Sequence, residues 1–158
     1  MKSHVDTYCG GYCGACPIFM KTTSGKIDEL VVEFGVPAED IACYGCRSEQ
    51  LPKNWCRDCF IKTCCREKGI DTCVECDDYP CKPLNVFRDD KDYPHHKEHE
   101  WYLDLIKNHG KEMWLTSMIK RWSCENCQTP FNWDQDKCDN CGSKVDGYKI
   151  SEKNFPFG

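Results

Sequence analysis

A small, irregular α+β fold, fastened by cysteine chemistry rather than by a wide apolar core, is what this sequence predicts. Three observations carry that expectation. Sixteen of the 158 residues are cysteine, a share at which cysteine itself sets the class of a chain. Ile, Leu, Val and Phe together make up only about 18% of the residues, thin for a chain of this length that must fold on hydrophobic burial. The cysteines also recur in C-x2-C turns, the spacing at which two thiolates reach one ion. The expected architecture is therefore metal-stabilised: cysteine knuckles, a two-helix middle region and a C-terminal zinc ribbon.

Several classes fall away. No apolar run approaches about eighteen residues, so no membrane span is expected. The opening Met-Lys-Ser-His-Val-Asp-Thr lacks an apolar stretch and a small-residue cleavage site, so no secretory signal is visible. A cytoplasmic location follows as the expectation, and with it metal binding rather than a disulfide framework. The formal charge is −5. Each ion held by four thiolates adds about −2, so four such sites would bring the chain to about −13. That balance argues against nucleic acid and leaves a protein as the expected partner. The one mildly basic stretch, residues 47–68, reads as a solvated face around knuckles.

Four zones follow in order. Residues 1–83 carry twelve cysteines as a multi-knuckle region, 84–122 carry none, 123–142 carry the last four, and 143–158 form a polar tail ending Phe155-Pro156-Phe157-Gly158. In the first zone Ile27, Leu30, Val31 and Phe34 stand at i, i+3, i+4, i+7, which predicts a helix stopped by Gly35 and Pro37. In the second, Pro83 suits a first helical turn leading through Leu84 to Arg88. From His95, Tyr102, Leu105, Ile106 and His109 keep helical spacing up to Gly110. Leu115, Met118, Ile119 and Trp122 repeat it beyond. Two helices hinged near Gly110 are expected, with Trp101, Trp114 and Trp122 giving bulk to the core.

The sharpest motif is the last: Cys124-x2-Cys127, ten residues, then Cys138-x2-Cys141-Gly142. Two knuckles so spaced place four sulfurs around one tetrahedral ion, as in a zinc ribbon, although four-thiolate iron uses the same geometry. Such a closed site has no open position for substrate, so a structural role is expected. An echo lies earlier, in Cys43-x2-Cys46 and Cys56-x2-Cys59, which by spacing alone would make a second four-cysteine site. The triplet Cys56, Cys59, Cys64 recurs seventeen residues later as Cys73, Cys76, Cys81. Repeated triplets can interleave, each site drawing on both copies, so the ligand grouping stays open.

The opening motif, Cys9-x3-Cys13-x2-Cys16-Pro17, is dense in glycine. It can wrap a zinc ion or an iron–sulfur cluster, with a fourth ligand from Cys64, Cys65 or Cys81. Radical S-adenosylmethionine enzymes share the spacing, but Ala15 replaces their usual aromatic residue and the chain is far too short for their barrel. Adjacent cysteines rarely ligate one ion comfortably, so one of Cys64 and Cys65 is expected to be spare. A redox C-x2-C would need a thioredoxin-like βαβ context, which is missing. His95-His96-Lys97-Glu98-His99 matches H-x-x-E-H of inverted zinc peptidases in form. No third ligand follows, and a solvated first turn explains the pattern as well.

Together, C-G-G-Y-C-G-A-C-P, C-Y-G-C-R-S, W-C-R-D-C-F-I-K-T-C-C-R-E-K-G and C-V-E-C-D-D-Y-P-C resemble an uncharacterised family of cysteine-rich bacterial and archaeal proteins, domain of unknown function 3795. The likeness covers roughly residues 8–85. It implies metal, presumed zinc, at Cys9, Cys13, Cys16, Cys43, Cys46, Cys56, Cys59, Cys64, Cys73, Cys76 and Cys81, and it leaves Cys65 as the spare. It implies no activity. The expectation is a metal-binding protein with about three to four zinc sites, acting as a binding or adaptor module rather than an enzyme. The rival is an iron–sulfur or redox protein with its active cluster at Cys9, Cys13 and Cys16.

Overall fold

In the computed structural model, residues 1–53 and 55–148 are described. They form six short to medium α-helices: α1 Pro17–Thr23, α2 Ile27–Phe34, α3 Ala38–Ile41, α4 Phe60–Lys68, α5 Lys82–Arg88 and α6 His99–Arg121. Turns of 3-10 helix at Cys13–Ala15, Cys73–Glu75 and Pro94–Glu98 lie between them. The fold is small, mostly helical and otherwise irregular.

The periodic segments become helices where the pattern places them. α2 buries Leu30 and ends on Gly35 in the left-handed conformation (φ 65°), whose amide closes the last turn on Val31. α5 carries Pro83 in its first turn, where a missing N–H costs nothing. In α6 the helical ladder breaks at Gly110, with φ 83° and ψ 169°, backbone that glycine alone adopts readily. The two halves of α6 are the expected hinged pair.

The β part of the expectation shrinks. Among the described residues there is no strand, only isolated antiparallel bridges at Ser123↔Pro130 and Lys137↔Lys144. Each bridge closes one C-terminal knuckle. Paired residues so close to a tight turn leave no length for a ladder. Of the tail, residues 143–148 are placed, and its Phe155-Pro156-Phe157-Gly158 end lies outside the described residues.

Three apolar clusters hold these pieces, and the first two draw on distant segments. Ala15, Trp122, Cys124, Phe131, Cys138 and Val145 bury one another, with Tyr12, Trp133 and Tyr148 at the edge. Tyr8, Ile61, Cys65, Leu84 and Leu103 form the second. Tyr102, Trp114 and Met118 form the third along α6. Trp114 joins α6 to the N-terminal motif, since its buried Nε1–H donates to the Gly10 carbonyl at 3.1 Å. A charged lattice makes a second tie. Arg47 pairs with Asp6 (2.6 Å) and Asp71 (2.9 Å), and Lys111 of α6 pairs with the same two carboxylates. The Arg47 guanidinium also lies 4.3 Å over the Tyr8 ring. The cysteine-rich loops are therefore clamped onto α6 by packing and by charge.

Candidate metal centre

Cys124, Cys127, Cys138 and Cys141 converge so that their sulfurs all lie within 4.8 Å of one another. Cys124 Sγ is 3.6 Å from Cys141 Sγ, and Cys127 Sγ is 3.5 Å from Cys138 Sγ. Four sulfurs at about 2.3 Å from a central ion would stand about 3.8 Å apart, so the group suits a tetrahedral metal. Among the described residues it is the one group of three or more such side chains drawn this close. Local backbone builds it: Gln128 N–H returns to the Cys124 carbonyl (2.8 Å) and Gly142 N–H to that of Cys138 (2.9 Å). Gln128 and Gly142 both take positive φ, 61° and 72°.

Polar neighbours prepare two of these sulfurs, Cys127 and Cys141, for a cation, whereas Cys124 is raised to about 11. Cys141 is lowered to about 5, first by the Asn126 side chain and then by Ser143, whose Oγ lies 3.3 Å away. Cys127 is lowered by Thr129, with its Oγ1 at 3.2 Å, and by Asn140. The Asn126 and Asn140 side-chain amides, donating to the sulfurs, favour the thiolate that binds metal. Asn126, Thr129, Asn140 and Ser143 were not singled out by sequence reasoning. The available signal was the hydroxyl two residues after Cys127 and again after Cys141.

The first zone is built differently. Its sulfurs are buried, and burial comes first in raising Cys9, Cys13, Cys16, Cys43, Cys46 and Cys56. Cys16 and Cys46 are each pushed up to about 12, with the thiols of Cys43 and Cys9 next in order. Neutral thiols crowded in a dry site become thiolates when a divalent cation arrives, because its charge outweighs the burial penalty. Backbone amides point at these sulfurs in a repeated manner. Cys16 receives Phe19 and Ile18, Cys43 receives Gly45, and Cys9 receives Gly11, which matches Cys124 with Cys127 and Asn126. Amides two or three residues ahead of a sulfur are thus a common device of both regions.

The two members of the Cys64–Cys65 pair face different surroundings. Adjacent residues on α4 point about 100° apart. Cys65 is buried against the second cluster with its Sγ 3.8 Å from that of Cys73, while Cys64 is exposed. Further along, Cys76 Sγ receives Lys68 Nζ at 3.0 Å, and Cys81 packs at the edge of the second cluster. Lys62 turns its ammonium back to the Cys56 and Arg57 carbonyls at 2.7 and 2.6 Å, clasping the start of the knuckle from below.

The histidine motif is not drawn into a metal site. His95 stacks on Trp133 at 4.0 Å, and His96 stacks on Phe87 at 4.0 Å while its Nδ1 lies 3.1 Å from the Phe87 carbonyl. His99 is buried in contact range of Gly11, and burial holds it well below the usual histidine range. Glu98, the would-be general base, is committed elsewhere. It takes Arg121 at 2.7 Å, the Tyr148 hydroxyl at 2.8 Å and the Tyr102 hydroxyl.

Fold and site define a small cysteine-rich protein with a four-cysteine group that could hold a metal ion. The chain belongs to the family described as protein of unknown function, DUF3795, whose model matches residues 5–86. The C-terminal quartet lies beyond that match. No curated protein and no solved structure matches the chain. No helix among the described residues is long and apolar enough to cross a membrane.

Proposed function

We propose that this protein is a metal-scaffolded binding or adaptor module, with zinc at Cys124, Cys127, Cys138 and Cys141 and in further sites among the first twelve cysteines. The carrying observation is the C-terminal quartet, with four sulfurs within 4.8 Å and amide side chains beside Cys127 and Cys141. A closed four-thiolate site leaves no position for a substrate, which supports a structural ion. Such ions supply folding free energy that a thin apolar inventory does not. Acidity supports a protein partner over nucleic acid, since thiolate-bound zinc deepens the formal −5. Reduced thiols suit a cytoplasmic setting.

Zinc is favoured over an iron–sulfur cluster at Cys9, Cys13 and Cys16 because those three sulfurs have different neighbours. Cys9 packs with Cys46 and Cys59 at the edge of the cluster of Tyr8 and Leu103, whereas Cys13 and Cys16 do not. Elemental analysis of anaerobically purified protein, beside its visible spectrum, is the test. About three to four zinc per chain and no visible band is the expected result. Iron with acid-labile sulfide would overturn the zinc reading, and neither metal would overturn metal scaffolding altogether.

A further inference from the structure

We propose that Cys65 and Cys73 are a reversible dithiol–disulfide pair, in which Cys73 meets a low-molecular-weight disulfide such as oxidised glutathione and Cys65 resolves the bond. The geometry of the two sulfurs carries this. Cys65 Sγ lies 3.8 Å from Cys73 Sγ, in direct contact. No third cysteine, histidine or carboxylate among the described residues joins them within 4.8 Å. Two sulfurs alone are too few to close a thiolate metal site, and they are the number a disulfide needs. The inference goes beyond the metal reading and gives these two thiols a chemistry of their own.

The chain around the pair is already held in place. Cys65 stands on α4 and packs with Tyr8, Ile61, Leu84 and Leu103, and Cys73 lies at the edge of the same cluster. Both neighbourhoods are tied to Tyr8. The Cys73 amide donates to the Tyr8 carbonyl at 3.0 Å, and Arg66 Nε, one residue beyond Cys65, donates to the Tyr8 hydroxyl at 3.1 Å. The turn between the two cysteines is closed by Ile70 N–H on the Cys65 carbonyl (3.0 Å) and by Asp71 N–H on Glu75 Oε2 (2.9 Å). Lys68 Nζ reaches Asp78 Oδ2 at 3.0 Å, so α4 and residues 73–78 are fastened at a second point. Closing from 3.8 Å to the about 2.05 Å of a disulfide is a movement of side chains between segments that the backbone already holds side by side.

Exposure assigns the two roles. Cys65 is 1% exposed, whereas Cys73 is half-buried. An incoming disulfide therefore reaches Cys73 first. The Cys73 thiolate attacks one of its sulfurs, which breaks the S–S bond, forms a mixed disulfide and expels one thiolate. The Cys65 thiolate then attacks the Cys73 sulfur, expels the second thiolate and leaves the Cys65–Cys73 bond. Two protein thiols are oxidised, one small disulfide is reduced to two thiols, and the two cysteine protons pass to the released thiolates. In a compartment that keeps thiols reduced, such a bond forms transiently and senses oxidant rather than stapling the fold.

The test is to incubate the full zinc-loaded chain with oxidised glutathione, block the remaining thiols and map cysteine linkages in a protease digest by mass spectrometry. The expected product is a pair of peptides joined through Cys65 and Cys73, lighter by two hydrogens and separated again by dithiothreitol. In Cys65→Ala, glutathione should instead stay on Cys73, because its resolving partner is gone. Cys65 recovered as a free thiol from the unaltered chain would overturn the proposal, as would Cys73 joined to Cys64 or Cys76. An unmodified Cys73 in the variant would overturn the order of attack. The map of the unaltered chain decides the pairing even where Cys65→Ala does not fold.

Discussion

Replacing Gly45 by alanine should loosen the knuckle of Cys43 and Cys46, and the cost can be worked from geometry. Gly45 has φ 98°, which costs an L-residue about 1–2 kcal/mol. A β-carbon there would sit 1.8 Å from the His4 carbonyl oxygen and 2.8 Å from its carbon. Backbone, not a flexible side-chain tip, has to yield. Moving it breaks the His4 N–H bond to the Tyr44 carbonyl, about 1 kcal/mol, and disturbs the Gly45 amide on Cys43 Sγ, about another 1 kcal/mol. The sum is about 3–4 kcal/mol, or a melting temperature lower by about 6–16 °C for a chain of this size. Gly35→Ala is the control, because Gly35 also has positive φ (65°) but a β-carbon there meets no atom within 4 Å. It should fall by only about 2–8 °C. Both melts are read by far-ultraviolet circular dichroism in excess zinc. If Gly45→Ala melts within about 3 °C of Gly35→Ala, the close approach of the two segments is refuted.

Three further outcomes are expected. Trp114→Phe removes the donor to the buried Gly10 carbonyl and should cost about 2–3 kcal/mol in urea unfolding, where a loss under about 1 kcal/mol would count against the clamp. Glu98→Gln removes the charge facing Arg121 in a largely buried pair and should cost about 3 kcal/mol, with unchanged stability marking the network as unimportant. His96 is held down at about 4, chiefly by burial, against about 6.5 when unfolded. The unfolded chain therefore binds the extra proton between these values, and the contribution of neutral His96, about 3 kcal/mol, is present above pH 6.5 and lost as pH falls toward 4. Comparison with His96→Phe at saturating zinc should show the wild-type protein losing ground on acidification, and parallel stability profiles would refute the burial argument.

Legibility in the sequence tracked distance along the chain. α2 with its Gly35 stop, α5 behind Pro83 and the break of α6 at Gly110 all follow from spacing within a few turns, where periodicity and glycine speak directly. The C-terminal quartet was equally plain, since two knuckles joined by ten residues can close on each other without help from elsewhere. α4 was missed because its inward residues, Ile61, Lys62 and Cys65, mix apolar and charged types and break the simple stripe. Cys65 was expected to be the spare thiol of its pair; the fold turns it inward and leaves Cys64 at the surface, a difference in burial that sequence spacing does not carry.

The H-x-x-E-H pattern shows the opposite failure, a local match emptied by remote partners. Glu98 is claimed by Arg121 and Tyr148, twenty-three and fifty residues away, and His95 by Trp133. What the sequence determined by itself was membership of a cysteine-rich family, the need for a cross-link other than apolar burial, and the places where helices stop. What only the tertiary structure decided was company: which sulfur faces which, and which carboxylate is already engaged. C-x2-C spacing sets how far apart two sulfurs lie but not toward which neighbour each one turns. That direction is set by the packing of Tyr8 with Leu103 of α6 and by the bond from Trp114 of α6 to the Gly10 carbonyl, a long-range balance that no local pattern encodes.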